Sequence, residues 1–198
     1  MFQTPKSVKE ILQDINKLYF LPAIQREFVW KEDQIISLFD SLMKGFPIGS
    51  FLFWEVNNEN LKKFEFYNFI EEYSELDNYH NQISQDVKRK DHIVSILDGQ
   101  QRITSLLIGI KGSYTTKKYR SSGKKILYIS LSSTYNMEEV DDIESMYKFK
   151  FMSKDEADSN NNEMWFRVGN ILDMNLGDIT KFSIENQLNS IEIDILTK

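Results

Sequence analysis

Apolar residues recur at Ile35, Leu38, Phe39, Leu42 and Met43, the i, i+3, i+4, i+7, i+8 spacing of one helical face, and Ile36 widens the stripe. Glu32 and Asp33 fall where such a helix is positive and Lys44 where it is negative, while Gly45 and Pro47 stop it, so 31–44 is predicted as a helix on the core. The same spacing at Val8, Ile11, Leu12 and Ile15, behind the capping box Ser7-Val8-Lys9-Glu10, predicts a helix near 8–17. Tyr19 to Trp30 contains Pro22 and reads as extended chain or an edge strand, with Gln25 and Arg26 set between apolar residues. Ser50 to Val56 is almost continuously apolar and predicts a strand covered on both faces, led in by the tight Pro47-Ile48-Gly49-Ser50.

Residues 57–91 are polar and irregular; Phe64, Phe66, Tyr67, Phe69, Ile70 and Tyr73 fit a strand or a short aromatic helix equally. Glu75 to Asp91 reads as a mobile surface excursion, with His80 a solvated side chain. A buried strand from His92 to Leu97, a turn at Asp98-Gly99 and a helix to about Lys111 come next, the helix carried by Ile103, Leu106, Leu107 and Ile110 and ended by Gly112. Strands are predicted at Ile126 to Leu131, Tyr147 to Met152 and Trp165 to Val168, and a helix at Asp178 to Leu188. Ile191, Ile193 and Ile195 alternate, which predicts a last strand over Ser190 to Leu196, and the stop just after it suggests a longer natural protein. The organisation expected is a core over 1–135 with a polar insertion near 57–91, and a β-rich extension of the same domain over 136–198.

Composition narrows the chemistry. The chain has 198 residues, 41% hydrophobic and 27% charged, as a folded soluble protein does. No apolar run approaches the ~18 residues of a membrane span, and no signal peptide is visible. The absence of cysteine excludes disulfides, thiolate metal sites and a cysteine nucleophile, and agrees with a cytoplasmic location. His80 and His92 are the only histidines, too few for an HNH nuclease centre. A net charge of −6 argues against a surface that coats nucleic acid. Between Lys111 and Lys125, however, Lys117, Lys118 and Arg120 lie in a stretch without acidic residues, either a solvated connection or a local contact to nucleic acid or phosphates. Glu138, Glu139, Asp141, Asp142 and Glu144 read as a solvated turn or helix start rather than a metal site.

The chemically distinctive stretch is Asp98-Gly99-Gln100-Gln101-Arg102. A helix start gathers unpaired N–H groups at the positive end of the dipole, and Arg102 adds a planar fork suited to phosphate or carboxylate. Two other readings stay open. Asp98 and Gln101 fit a capping box, and Asp98 and Arg102 are spaced for an internal ion pair.

Asp98 to Leu106 resembles the DGQQR signature of the N-terminal domain of GmrSD-type restriction endonucleases. Ile24-Gln25-Arg26-Glu27-Phe28-Val29-Trp30 is similar to that family's QR-x-[FY]-x-W element, and Phe46 to Phe51 to its PIGS segment. Glu27 departs from the proline frequent at its position. The resemblance implies an α+β fold with a ParB/sulfiredoxin-like core, a small mixed sheet packed with helices. It also implies a nucleotide-binding, NTP-hydrolysing regulatory domain of a prokaryotic phage-defence system that restricts modified DNA, with an HNH-type nuclease domain or subunit elsewhere. Under it Asp98, Gln100, Gln101 and Arg102 are the expected catalytic residues, and Gln25, Arg26, Gly49, Ser50, Gly99 and Thr104 the phosphate-binding ones. Arg102 and the N–H groups of Gln100 and Gln101 are expected to hold phosphate oxygens, Gly49-Ser50 to add backbone donors, and Asp98 to position a water or Mg2+ carried by the nucleoside triphosphate. The competing expectation is a DNA-backbone-binding or modification-sensing module without hydrolysis.

Overall fold

The computed structural model of the chain describes residues 4–76, 80–117, 123–132, 146–160 and 163–198. In order its elements are α1 (Val8–Asp14), β1 (Tyr19–Pro22), α2 (Glu32–Met43), β2 (Leu52–Asn57), α3 (Asn58–Leu61), β3 (Phe66–Tyr67), β4 (Glu72–Ser74), β5 (His92–Asp98) and α4 (Gln100–Ile110). There follow β6 (Ser113–Thr115), β7 (Ile126–Ser130), β8 (Phe149–Met152), α5 (Lys154–Asp158), β9 (Trp165–Arg167), α6 (Leu176–Glu185) and α7 (Ser190–Thr197). The fold is α+β with a mixed sheet. Among the described residues no helix is long and apolar enough to cross a membrane.

The four-stranded sheet has the order β2-β5-β1-β3, with β5 antiparallel to β2 and parallel to β1. Successive side chains of a strand face opposite ways, and the two sides of this sheet separate accordingly. Val94 and Ile96 join the main core with Ile35, Leu38 and Phe39 of α2 and Ile103 and Leu107 of α4. Ile93 turns the other way, to Phe20, Val56, Leu61, Phe66 and Val87. The strand–turn–helix corner is thereby held from both sides: β5 is an inner strand, and α4 has ten of its eleven residues buried.

Five expectations need correction. The Tyr19 stretch is neither edge nor long: β1 is an inner strand of four residues, and Pro22 closes it instead of interrupting it. The run Ser50 to Val56 is not covered on both faces; β2 is an edge with Leu52 56% exposed, and its rings lean on other aromatics, Trp54 on Phe64 and Phe66, Phe53 on Tyr19 and Phe51. Residues 75–91 are not merely a surface excursion, because a 3₁₀ turn at Asp86–Arg89 buries Val87 under the sheet. Ser190 to Leu196 is helical, not a strand. Asn189 accepts from the N–H groups of Ile191 and Glu192, and the Glu192 carboxylate accepts from the N–H of Asn189, a capping box that overrides the apolar alternation. With α5, α6 and α7 against β8 and β9, the described part of the C-terminal extension is not β-rich.

Asp40 on α2 ties the C-terminal part to the core. Its buried carboxylate accepts from the N–H of Tyr147 at 2.8 Å and pairs with Lys44 at 2.7 Å. Lys118, Arg120 and the acidic cluster from Glu138 to Glu144 lie outside the described residues.

Candidate functional site

The β5–α4 corner turns on Gly99, whose φ of +91° is left-handed and which lies under the Phe51 ring. A Cβ there would stand 2.3 Å from the ring, so both the backbone and the contact demand glycine. No side chain caps α4, so the capping box open to Asp98 and Gln101 is absent. The first-turn N–H groups are left for another acceptor.

The side chains of Gln25, Gln100 and Gln101 bind backbone instead. Gln101 accepts from the N–H of Val29 at 3.0 Å and donates to the carbonyl of Glu27 at 2.9 Å. Gln100 donates to the carbonyl of Arg26 at 2.7 Å, and Gln25 donates back to the carbonyl of Leu97 at 2.6 Å. Four hydrogen bonds thus fasten loop 23–31 to the corner. An amide carries both a donor and an acceptor, which is why glutamine does this and a carboxylate or ammonium would not.

Arg102 fastens the loop on the other side. Its guanidinium donates to the carbonyls of Ile48 at 2.6 Å and Ser50 at 2.8 Å, approaches the Asp98 carboxylate at 3.4 Å, and lies 4.6 Å from the centre of the Phe51 ring. Gly49, at φ +89°, admits the guanidinium: a Cβ there would sit 2.5 Å from Nη1. The expected partnership therefore has a different polarity. Loop 48–50 offers carbonyl oxygens to Arg102, where backbone donors to a ligand were expected. The internal Asp98–Arg102 pair exists, although Asp98 is 66% exposed.

Residues two apart on a helix face nearly opposite ways, and Gln100 and Arg102 accordingly line different cavities. Arg102 borders an open one of about 470 Å³ with Trp30, Asp33, Gln34, Ser37 and Ile48. Gln100 borders one of about 250 Å³ with Leu21, Pro22, Gln25, Glu27 and His80. Gln100 is 4% exposed, and its side-chain oxygen has no partner among the described residues. Such an atom is costly to bury unless something answers it. Arg26 presents its backbone carbonyl to this corner, while the residue itself is exposed and is not part of the wall of either cavity. Thr104 is wholly buried, its hydroxyl likewise unpartnered, one turn into the helix.

The predicted residues Gln25, Arg26, Gly49, Ser50, Asp98, Gly99, Gln100, Gln101 and Arg102 thus converge on one helix start. Lys117 does not join them: its backbone N–H binds the Glu75 carboxylate while its side chain is exposed. Its neighbours Lys124 and Lys125 pair with Glu72 and Glu32, and Lys111 donates to the carbonyl of Leu12. The Tyr114 hydroxyl donates to Glu75 at 2.9 Å and lies 3.3 Å from the Trp30 carbonyl; burial first, then Glu75, pushes its pKa up. Sequence reasoning missed Glu27 and His80 as a pair at the smaller cavity, where His80 Nδ1 meets the Glu27 carboxylate. They stand 53 positions apart, and only the scarcity of histidine hinted at one of them.

Fold and site together define an α+β domain in which two loops are laced to an uncapped helix start. The model of the GmrSD restriction endonuclease N-terminal domain matches residues 8–197, and the chain belongs to that family. It is also similar to the uncharacterized protein MJ0686 of Methanocaldococcus jannaschii, 37% identical over 120 residues that cover 56% of this chain and 19% of the relative. The chain thus matches about a fifth of that relative's length.

Proposed function

We propose that this chain is the nucleotide-binding and NTP-hydrolysing regulatory domain of a restriction system acting on modified DNA, on a ParB/sulfiredoxin-like core. The observation that carries the reading is the unpartnered, buried Gln100 oxygen at an uncapped helix start, beside a cavity of about 250 Å³. Phosphate oxygens suit the free first-turn N–H groups. Arg26, exposed in the loop whose carbonyl Gln100 holds, is the cation proposed for it. Arg102 gives at least two of its five donors to loop 48–50, so its first task is to hold that wall. Gln25 and Gln101 hold the opposite wall.

Among the described residues no group of three or more histidines and acids is placed to hold a metal ion. A Mg2+ ion suits this site only as one carried by the triphosphate, where it would neutralise phosphate charge, because the Asp98 carboxylate expected to hold it is turned to Arg102. A nuclease part of HNH type, outside this chain, would do the cutting.

Calorimetric titration with ATP, GTP, CTP and UTP, each with Mg2+, tests the reading. Saturable binding of at least one, weakened tenfold or more in Arg26→Ala, is expected. Binding of none, with salt-sensitive binding of duplex DNA instead, replaces it with a backbone-phosphate reader.

A further inference from the structure

Hydrolysis needs a proton acceptor, and the residues expected to be catalytic do not supply one at the cavity. Gln101 has both ends of its amide engaged. Gln100 keeps a free oxygen, which accepts a hydrogen bond but does not take up a proton near neutral pH. Asp98 faces Arg102 and is not part of the cavity wall that Gln100 lines. Among the described residues of that wall, the side chains that carry a carboxylate or an imidazole are Glu27 and His80.

These two form a pair with a recognisable division of labour. The Glu27 carboxylate engages Nδ1 of His80, which fixes the proton there and leaves Nε2 as the free basic nitrogen. A carboxylate holding an imidazole in this way orients it and stabilises its charged form. Both partners are anchored. The carbonyl of Glu27 is held by Gln101. The segment after His80 is docked on β3: Asn81 donates to the carbonyl of Asn68 at 2.8 Å, the N–H of Asn68 donates to Gln82 at 2.9 Å, and Tyr67 bridges to Ile83.

We infer that His80 is the general base of this site, with Glu27 as its positioning residue and the Gln100 oxygen as the second acceptor for the attacking water. This rests on the nucleotide reading above. Water donates one hydrogen to Gln100 and the other to His80 Nε2. Its oxygen forms a bond to the γ-phosphorus as the bond from that phosphorus to the β,γ-bridging oxygen breaks. The nucleoside diphosphate leaves with that electron pair, the water proton stays on His80 as imidazolium, and solvent removes it afterwards. Glu27 carries negative charge opposite the imidazolium while it exists.

The test measures phosphate release from the triphosphate that binds best, with Mg2+, in the wild-type chain, His80→Ala, His80→Gln and Glu27→Gln, and binding of its non-hydrolysable analogue to each. Removing a general base costs about 10²–10⁴ in kcat. Expected are a fall of at least a hundredfold in both His80 variants, a smaller fall in Glu27→Gln, analogue affinity within threefold of wild type, and partial recovery of His80→Ala by added imidazole. Unchanged circular dichroism and melting temperature exclude a folding defect in this solvent-facing pair. Turnover by His80→Ala at the wild-type rate overturns the assignment, as does a raised KM with kcat intact or a wild-type chain that binds nucleotide without hydrolysing it. Each of those results leaves nucleotide binding standing. A wild-type chain that binds no nucleotide overturns the parent reading as well.

Discussion

Replacing Arg102 by alanine separates its role as a loop clamp from any role as a ligand arm. The side chain is 18% exposed and donates to two carbonyls, those of Ile48 and Ser50, while stacked on Phe51. Hydrogen bonds from a charged donor contribute about 1.5–3 kcal/mol where solvent is excluded, and a guanidinium on an aromatic face about 0.5–1 kcal/mol where it is not. Water reaches both carbonyls once the arginine is gone and offsets part of this, which leaves a loss of about 2–4 kcal/mol. For a chain of this size each kcal/mol shifts the melting temperature by about 2–4 °C, so a drop of about 5–15 °C is expected. Arg102→Lys should recover little, since an ammonium on a flexible stem does not bridge two carbonyls as a planar fork does. Scanning calorimetry without any nucleotide gives the shift, and amide exchange at 48–51 locates it. A drop under 2 °C with unchanged exchange there would refute the clamp and return Arg102 to the ligand alone.

Gly49→Ala should cost about 1–3 kcal/mol in a urea titration, because the new Cβ meets the Arg102 guanidinium and the left-handed φ adds strain. Gly45→Ala, at φ +73° with open space around it, should show the strain alone, and equal losses in the two would contradict the close approach. Asp40→Ala should lose about 2–4 kcal/mol, since it strips a buried N–H and Lys44 of their acceptor, whereas Asp40→Asn should retain part of it; unfolding curves of both decide. The Glu10 carboxylate is held below its ordinary range, first by the Ser7 N–H and then by the Ser7 hydroxyl. A depressed pKa means that its contribution is complete above the unfolded-state value and is lost as pH falls through the folded one. Acid melts of wild type and Glu10→Gln should therefore converge below that range, glutamine keeping the cap without the titration; parallel curves would contradict it.

Much of the scaffold was legible locally because its determinants are local. The period and charges of 31–44 dictated α2, Ser7 with Glu10 dictated the start of α1, and the apolar run before Asp98-Gly99 dictated β5, its turn and α4. The corner was found for the same reason: glycine at a left-handed turn leaves a mark in the chain itself. Local reading failed where neighbours decided. Ile191, Ile193 and Ile195 alternate as a strand does, yet Asn189 and Glu192 cap a helix there, with Ile195 and Leu196 buried. Ser50 to Val56 reads as a covered strand, but whether a strand is inner or edge depends on which strands pair, and β2 was left at the rim.

The amino-acid sequence by itself determined which residue types stand at the corner: glycine where backbone must turn or approach closely, glutamine where donor and acceptor are both wanted, and arginine where a fork is wanted. Tertiary structure alone decided what those groups face. Two of the amides and the guanidinium turn to carbonyls of loops 23–31 and 48–50, Gln100 and Arg102 diverge to separate cavities, and His80 meets Glu27 across 53 positions. A side chain advertises its hydrogen-bonding capacity in the sequence. Which partner satisfies it depends on chain segments brought together by burial of the sheet and helices, and that information is spread over the whole core.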